Sequence, residues 1–174
     1  MDHQLATPKE LLTSSTSYLL HLRDTLALVP DATYTRISTA LPGSTIGKHV
    51  RHVLDHFMLL LASSGRVNYS LRERNEDTQS SVASGQAAIL RTVERIRSVL
   101  EDGCSVNVES PVCIEDTLPG GNDRAFVSTL GRELWFCTHH MIHHNAVIAC
   151  LMFEFGLQPP KEFAYAPSTI KRSQ

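Results

Sequence analysis

The sequence predicts an all-α fold, a four-helix bundle with a small β-hairpin inserted before the last helix. Three observations predict it. Four segments of about 20 residues carry apolar side chains at helical spacing, turn chemistry separates them, and one stretch, residues 105–129, shortens its period to alternation. With 174 residues, 42% of them hydrophobic, the chain suits a single domain over 1–174 that buries about 70% of the surface its unfolded form exposes.

The first helix opens at Thr7, Pro8, Lys9, Glu10, a capping box with proline at the first helical position, and carries Leu11, Leu12, Tyr18, Leu19, Leu22 and Leu26 on one broad face. It is expected over about 8–28, before Pro30. The second starts with Ser44 or Thr45 as N-cap and runs through Ile46, Val50, Val53, Leu54, Phe57, Leu60 and Leu61 to Ser64 and Gly65. Residues 65–80 are too polar for a core element and read as a covering loop, with Tyr69, Arg72 and Arg74 as candidate contacts for an anionic substrate. The third helix is expected over roughly 81–102, with Ile89, Val93, Ile96 and Leu100 in register and Gly103 as its stop. The hairpin pairs SVNVE with RAFVST through PGGND. The last helix, about 129–155, ends at Gly156 before Pro159 and Pro160, and the tail shows little regular pattern.

Composition excludes several functions. A net charge of -2 without a dense Lys/Arg stripe argues against nucleic acid, and no apolar run approaches the roughly 18 residues of a bilayer span. Met1–Glu10 has neither a signal-peptide nor a transit-peptide pattern, so the expected location is cytoplasmic. Cys104, Cys113, Cys137 and Cys150 lack CxxC spacing and are expected reduced, with a Cys104–Cys113 bridge across the hairpin as the open alternative. Bundles pair readily through an exposed helix face, so a homodimer is a further expectation, although nothing in the sequence selects the face.

Seven of the nine histidines fall in two windows, IGKHVRHVLDHF with His49, His52 and His56, and CTHHMIHHNAV with His139, His140, His143 and His144. His3 and His21 read instead as hydrogen-bonded core residues. On a helix, i and i+4 imidazoles lie about 40° apart and can reach one ion, so His139 with His143 and His140 with His144 compete. The apolar stripe of the last helix lies near His140 and His144 and almost opposite His139, which selects the inward pair. Two imidazoles bind a divalent metal weakly, so a third must come from the second helix. There apolar residues wrap nearly the whole circumference but are centred closer to His49 and His56 than to His52, so the wheel mildly prefers the first two. Inward imidazoles packed together leave unsatisfied nitrogens when neutral and repel when charged, and a metal ion resolves both problems. Glu133 and Cys137 lie along the inward stripe of the last helix, and Asp55 follows on the second helix as a partner for a ligating imidazole. Glu133 also reads as a first-turn carboxylate paired with Arg132.

These residues resemble the DinB-like metalloprotein superfamily, whose fold is an up-down-down-up four-helix bundle with a three-histidine metal site. TIGKHVRHVLDHF is similar to the family's second-helix signature, and ungapped alignment places the ligand at His52. HHMIHH resembles its HxxHH pattern, whose first and last histidines fall on His140 and His144. The resemblance therefore implies the metal ligands His52, His140 and His144; His56, one turn after His52, is a feature outside that pattern, an extra imidazole open to a role as fourth ligand or as substitute for one.

Three neutral imidazoles leave coordination open, the mark of a catalytic site, and favour Zn²⁺ while admitting Ni²⁺, Mn²⁺ or Fe²⁺. The resemblance implies activation of a low-molecular-weight thiol for transfer to an electrophile or for isomerisation, so the expected partners are a small-molecule thiol and its electrophile. Two alternatives stand beside it: a hydrolase that activates water with His56 or Glu133 as general base, and a non-enzymatic, stress-related metal-binding protein.

Overall fold

Helix α1 (Pro8–Leu26) begins with the reciprocal bonds of the capping box: the Glu10 amide donates to Thr7 Oγ1 at 3.3 Å and the Thr7 amide donates to Glu10 Oε2 at 2.8 Å. The computed structural model describes residues 4–71, 76–100 and 107–172. After α1 comes a single turn, α2 (Asp31–Tyr34), which the sequence reading did not anticipate. Its Asp31 carboxylate accepts the Val82 amide at 2.7 Å and so caps α4 (Val82–Leu100) from a distance in the chain. Helix α3 (Ile46–Ala62) takes Thr45 as its cap, through the Lys48 amide. Helix α5 (Leu130–Glu154) takes Thr129, through Arg132.

Each of the four long helices packs on two others: α1 and α3 both contact α4 and α5. Directions follow from paired residues. His49 and His52 of α3 meet His144 and His140 of α5, so these two helices run antiparallel. On the other side of α5, Leu11 lies near Gly131 and Ser15 bonds Thr138, so α1 and α5 run parallel. The shared core joins Leu19 and Leu22 of α1, Phe57 of α3, Ile89 and Ile96 of α4, and Leu134 and Met141 of α5. Each such side chain contributes roughly 1.5–3 kcal/mol of apolar burial.

Tyr34 is the wedge between α3 and α4. It is fully buried, and its hydroxyl donates to the Thr78 carbonyl at 2.8 Å. Gly47 and Gly85 make room for it: a Cβ at Gly47 would stand 2.7 Å from Tyr34 Cε1, and one at Gly85 would stand 2.4 Å from the hydroxyl. Absence of side chains on both helices is what lets the ring sit there.

A small sheet in the order β1-β2-β3 is formed by β1 (Arg66–Val67), β2 (Pro111–Thr117) and β3 (Asp123–Thr129), and β3 leads straight into α5. The hairpin exists, but its first strand is PVCIEDT and not SVNVE. Residues 107–110 instead form a turn in which buried Val108 gives its carbonyl to the Gly131 amide at 2.7 Å, so its burial serves the start of α5. The covering loop also supplies β1, which pairs parallel to β2 with Arg66 opposite Cys113 and Val67 opposite Ile114. The tail is more regular than expected, closing in a short helix, α6 (Pro167–Arg172). His3, Arg72, Arg74, Gly103 and Cys104, and with Cys104 the Cys104–Cys113 bridge, lie outside the described residues. The described chain is mostly helical with a small three-stranded sheet, and among the described residues no helix is long and apolar enough to cross a membrane.

Candidate metal centre

The antiparallel meeting of α3 and α5 brings His52, His140 and His144 together, with one ligand atom from each lying within 4.8 Å of the others. His52 Nε2 and His140 Nε2 are 2.9 Å apart. The ring centroids of the three are separated by 5.0, 4.5 and 4.5 Å. His144 follows His140 by one turn, the spacing that lets two imidazoles on one helix share an ion. Burial, and after it the neighbouring His140, lower the pKa of His144 to about 3. A neutral imidazole has a lone pair to offer at neutral pH, so the donor set fits a divalent transition ion.

His49 stands at the outer edge of the cluster. Its Nδ1 lies 2.9 Å from His144 Nδ1 and its Nε2 lies 2.6 Å from Ser44 Oγ, so Ser44, His49 and His144 form a chain of contacts. Burial, then His143, lower the His49 pKa as well. Ser44 therefore serves His49 while Thr45 caps the helix, a division the sequence left open. His139 and His143 are exposed, and His139 packs on Trp135 with centroids 4.2 Å apart. Outward placement of His139 agrees with the helical wheel.

His56 is at the inner edge and only 5% exposed. Its Nδ1 donates to the His52 carbonyl at 2.8 Å. The Tyr69 ring stacks on it at 5.0 Å with 14° between planes. The sequence offered Tyr69 to an anionic substrate, but its hydroxyl instead donates to Glu133 Oε2 at 2.8 Å and lies 3.8 Å from Cys137 Sγ. Burial pushes the tyrosine pKa upward, with Cys137 and Glu133 adding to the effect. Position 69 lies two residues after the end of β1, and pairing of β1 with β2 holds the segment that brings the ring onto His56.

Glu133 is 1% exposed. Besides Tyr69, it accepts Ser128 Oγ at 2.6 Å and Arg132 Nη1 at 2.7 Å. Both oxygens are thereby engaged, which makes the residue a brace between β3, α5 and the covering loop. Ser128 was missed from the sequence, since its partnership depends on the strand running straight into the helix. Burial pushes the Cys137 thiol up to about 12, which keeps it protonated beside the Tyr69 hydroxyl. Asp55 Oδ2 lies 3.8 Å from Arg51 Nε, one turn back on the same helix.

A family model described as the DinB superfamily matches residues 12–148. FK506-binding protein 5 of Rhizopus delemar is 30% identical over 107 residues, a stretch covering 60% of this chain and 27% of that protein. No solved structure matches significantly. The family match runs from within α1 to within α5 and contains every histidine of the cluster, and the chain belongs to the DinB superfamily.

Proposed function

We propose that the chain is a divalent-metal enzyme built as an up-down-down-up four-helix bundle, in which His52, His140 and His144 hold the ion and a low-molecular-weight thiol is activated for S-transfer to an electrophile or for isomerisation. The convergence of three imidazoles within 4.8 Å carries this reading. Support for the bundle form comes from the pairing of each long helix with two others and from the antiparallel α3–α5 and parallel α1–α5 contacts. Nitrogen donors of this kind favour Zn²⁺, with Ni²⁺, Mn²⁺ and Fe²⁺ also compatible. When bound, such an ion lowers the pKa of a coordinated thiol or water and supplies a nucleophile at neutral pH.

The chain's own residues set the conditions for that chemistry. His49, held by Ser44, orients the His144 ring through their 2.9 Å contact. Phe136 stacks on His140 with centroids 5.6 Å apart and presents an apolar wall there. Glu133 holds the Tyr69 hydroxyl, which keeps the tyrosine ring over His56 and limits water on that side.

Product formation from chlorodinitrobenzene with a panel of low-molecular-weight thiols, in metal-loaded wild type and in His52→Ala/His140→Ala, tests the proposal. The expected result is thiol-dependent product in wild type alone. Turnover of small esters without any thiol would favour the hydrolytic reading, and bound metal without either reaction would leave a binding protein.

A further inference from the structure

Strand β3 is the last strand of the β1-β2-β3 sheet, and its register with β2 shows which of its backbone groups face the outer edge. The Cys113 amide donates away from β3, to the Gly65 carbonyl at 2.8 Å, so the opposed residues Cys113 and Val127 exchange no hydrogen bond. Near the two ends of the ladder the Leu118 amide donates to the Asn122 carbonyl and the Leu130 amide to the Ser110 carbonyl. Both pairs stand an odd number of steps from Cys113 and Val127, as the alternation of an antiparallel ladder requires. Ala125 and Val127 therefore turn their amides and carbonyls outward, and neither has a backbone partner on that side among the described residues.

The side chains leave the same edge unguarded. Val127 is 91% exposed and Phe126 45% exposed, while the charged residues of the strand, Asp123 and Arg124, are confined to its start. Open edges are usually protected by a central lysine, a proline or a bulge, and the run Ala125, Phe126, Val127 has none of them.

We propose that β3 pairs with β3 of a second copy of the chain, antiparallel about a two-fold axis at Phe126, to give one continuous sheet of order β1-β2-β3-β3-β2-β1. The strand's own pattern selects a copy of itself. Outward hydrogen-bonding residues at 123, 125, 127 and 129 meet their like only when the axis passes through a residue. With the axis at Phe126 all seven residues of β3 are paired. Ala125 then meets Val127, Asp123 meets Thr129, Arg124 meets Ser128, and the two Phe126 rings face each other, so no like charges are opposed. An axis at Arg124 would oppose two guanidinium groups. One at Ala125 would set Asp123 against Val127 and carry Ser128 and Thr129 past the partner's strand, and one at Val127 would run Arg124 against Leu130 at the start of α5. The interface also selects the face for the homodimer that the sequence left unplaced.

Sedimentation equilibrium of the purified chain over about 5–500 µM, a range suited to an interface at the small end of specific contacts, reads the association. A reversible monomer–dimer equilibrium is expected in wild type. Val127→Lys places two ammonium groups diagonally across the axis and should weaken association at least about 10-fold. Because Val127 lies on the monomer surface, circular dichroism should show an unchanged fold. The register is read by cross-linking with diamide as oxidant in a Cys150→Ser background. Opposed Cα atoms of a non-hydrogen-bonded pair lie about 4.5 Å apart, within disulfide reach, so Phe126→Cys should link two copies through position 126. Val127→Cys stands on a diagonal of about 7–8 Å and should link far less. A monomer at every concentration overturns the proposal, as does a dimer that Val127→Lys leaves equally tight or that links more readily through position 127 than through 126.

Discussion

His52 Nε2 and His140 Nε2 face each other at 2.9 Å across the α3–α5 interface. Two nitrogens each about 2.0–2.1 Å from one ion lie about 2.9 Å apart at a right angle and about 3.4 Å apart at the tetrahedral angle. The helices thus hold these nitrogens near the separation of two ligands of one ion. His144, from the next turn of α5, completes a set whose ligand atoms all fall within 4.8 Å.

Glu133 braces the covering segment, and its loss should be felt in stability first. Glu133→Ala leaves the half-buried Tyr69 and Ser128 hydroxyls without their acceptor. A cost of about 3 kcal/mol is expected, against about 1 kcal/mol for Tyr69→Phe, which keeps the stack on His56. Urea denaturation of the two variants gives the comparison, and equal costs would contradict the brace.

Gly85→Ala should destabilise the fold by about 1–3 kcal/mol through overpacking against Tyr34. The nearest atom to the new methyl is the tyrosine hydroxyl, so adding Tyr34→Phe should recover part of the loss. A double-mutant cycle by thermal denaturation reads that coupling, and simple additivity would count against the contact.

Asn145 is completely buried on α5, and neither its Oδ1 nor its Nδ2 has a hydrogen-bond partner among the described residues. Replacing it with the similarly shaped Leu removes an unpaired polar group from the core. Asn145→Leu should therefore raise stability by about 1–2 kcal/mol. Denaturation midpoints decide the sign.

Glu154, at the end of α5, accepts Ser38 Oγ at 2.6 Å and the Thr39 amide at 2.7 Å. These bonds, the serine hydroxyl foremost, lower its pKa from 4.5 to about 2. A folded-state pKa below the unfolded one contributes stability that is present above about pH 4.5 and lost as the pH falls through about 2. Glu154→Gln should be less stable than wild type at neutral pH, and the gap should close across that window in an acid titration of unfolding.

Much of the site is legible where a helix buries a single stripe. On α5 the buried residues Leu134, Cys137, Met141 and Ile148 define one side, and the wheel separates His140 and His144 from exposed His139. Helix α3 packs on both α4 and α5, so Val50, Val53, Leu54, Phe57 and Leu60 surround it and the wheel loses its discrimination. There the resemblance, and not periodicity, indicates His52. Of the two residues the wheel prefers, His56 is buried, whereas His49 is half-buried, as His52 is.

Tyr69 was legible only as a loop residue. Its place over His56 depends on two β1 residues pairing with β2, a contact between Arg66 and Cys113 that no local pattern encodes. The first hairpin strand was misplaced because buried Val108 imitates strand alternation while packing on the start of α5. Short α2 and α6 hold too few turns for a periodic signal.

Metal content per chain, measured by elemental analysis on protein purified without chelator or nickel affinity, tests the central claim most directly. Wild type and His139→Ala should each carry about one divalent transition ion, and His52→Ala/His140→Ala should carry almost none, because the remaining imidazoles cannot close the shell. Absence of metal from wild type, even after reconstitution with Zn²⁺, Ni²⁺, Mn²⁺ and Fe²⁺, or equal retention in all three proteins, would contradict it.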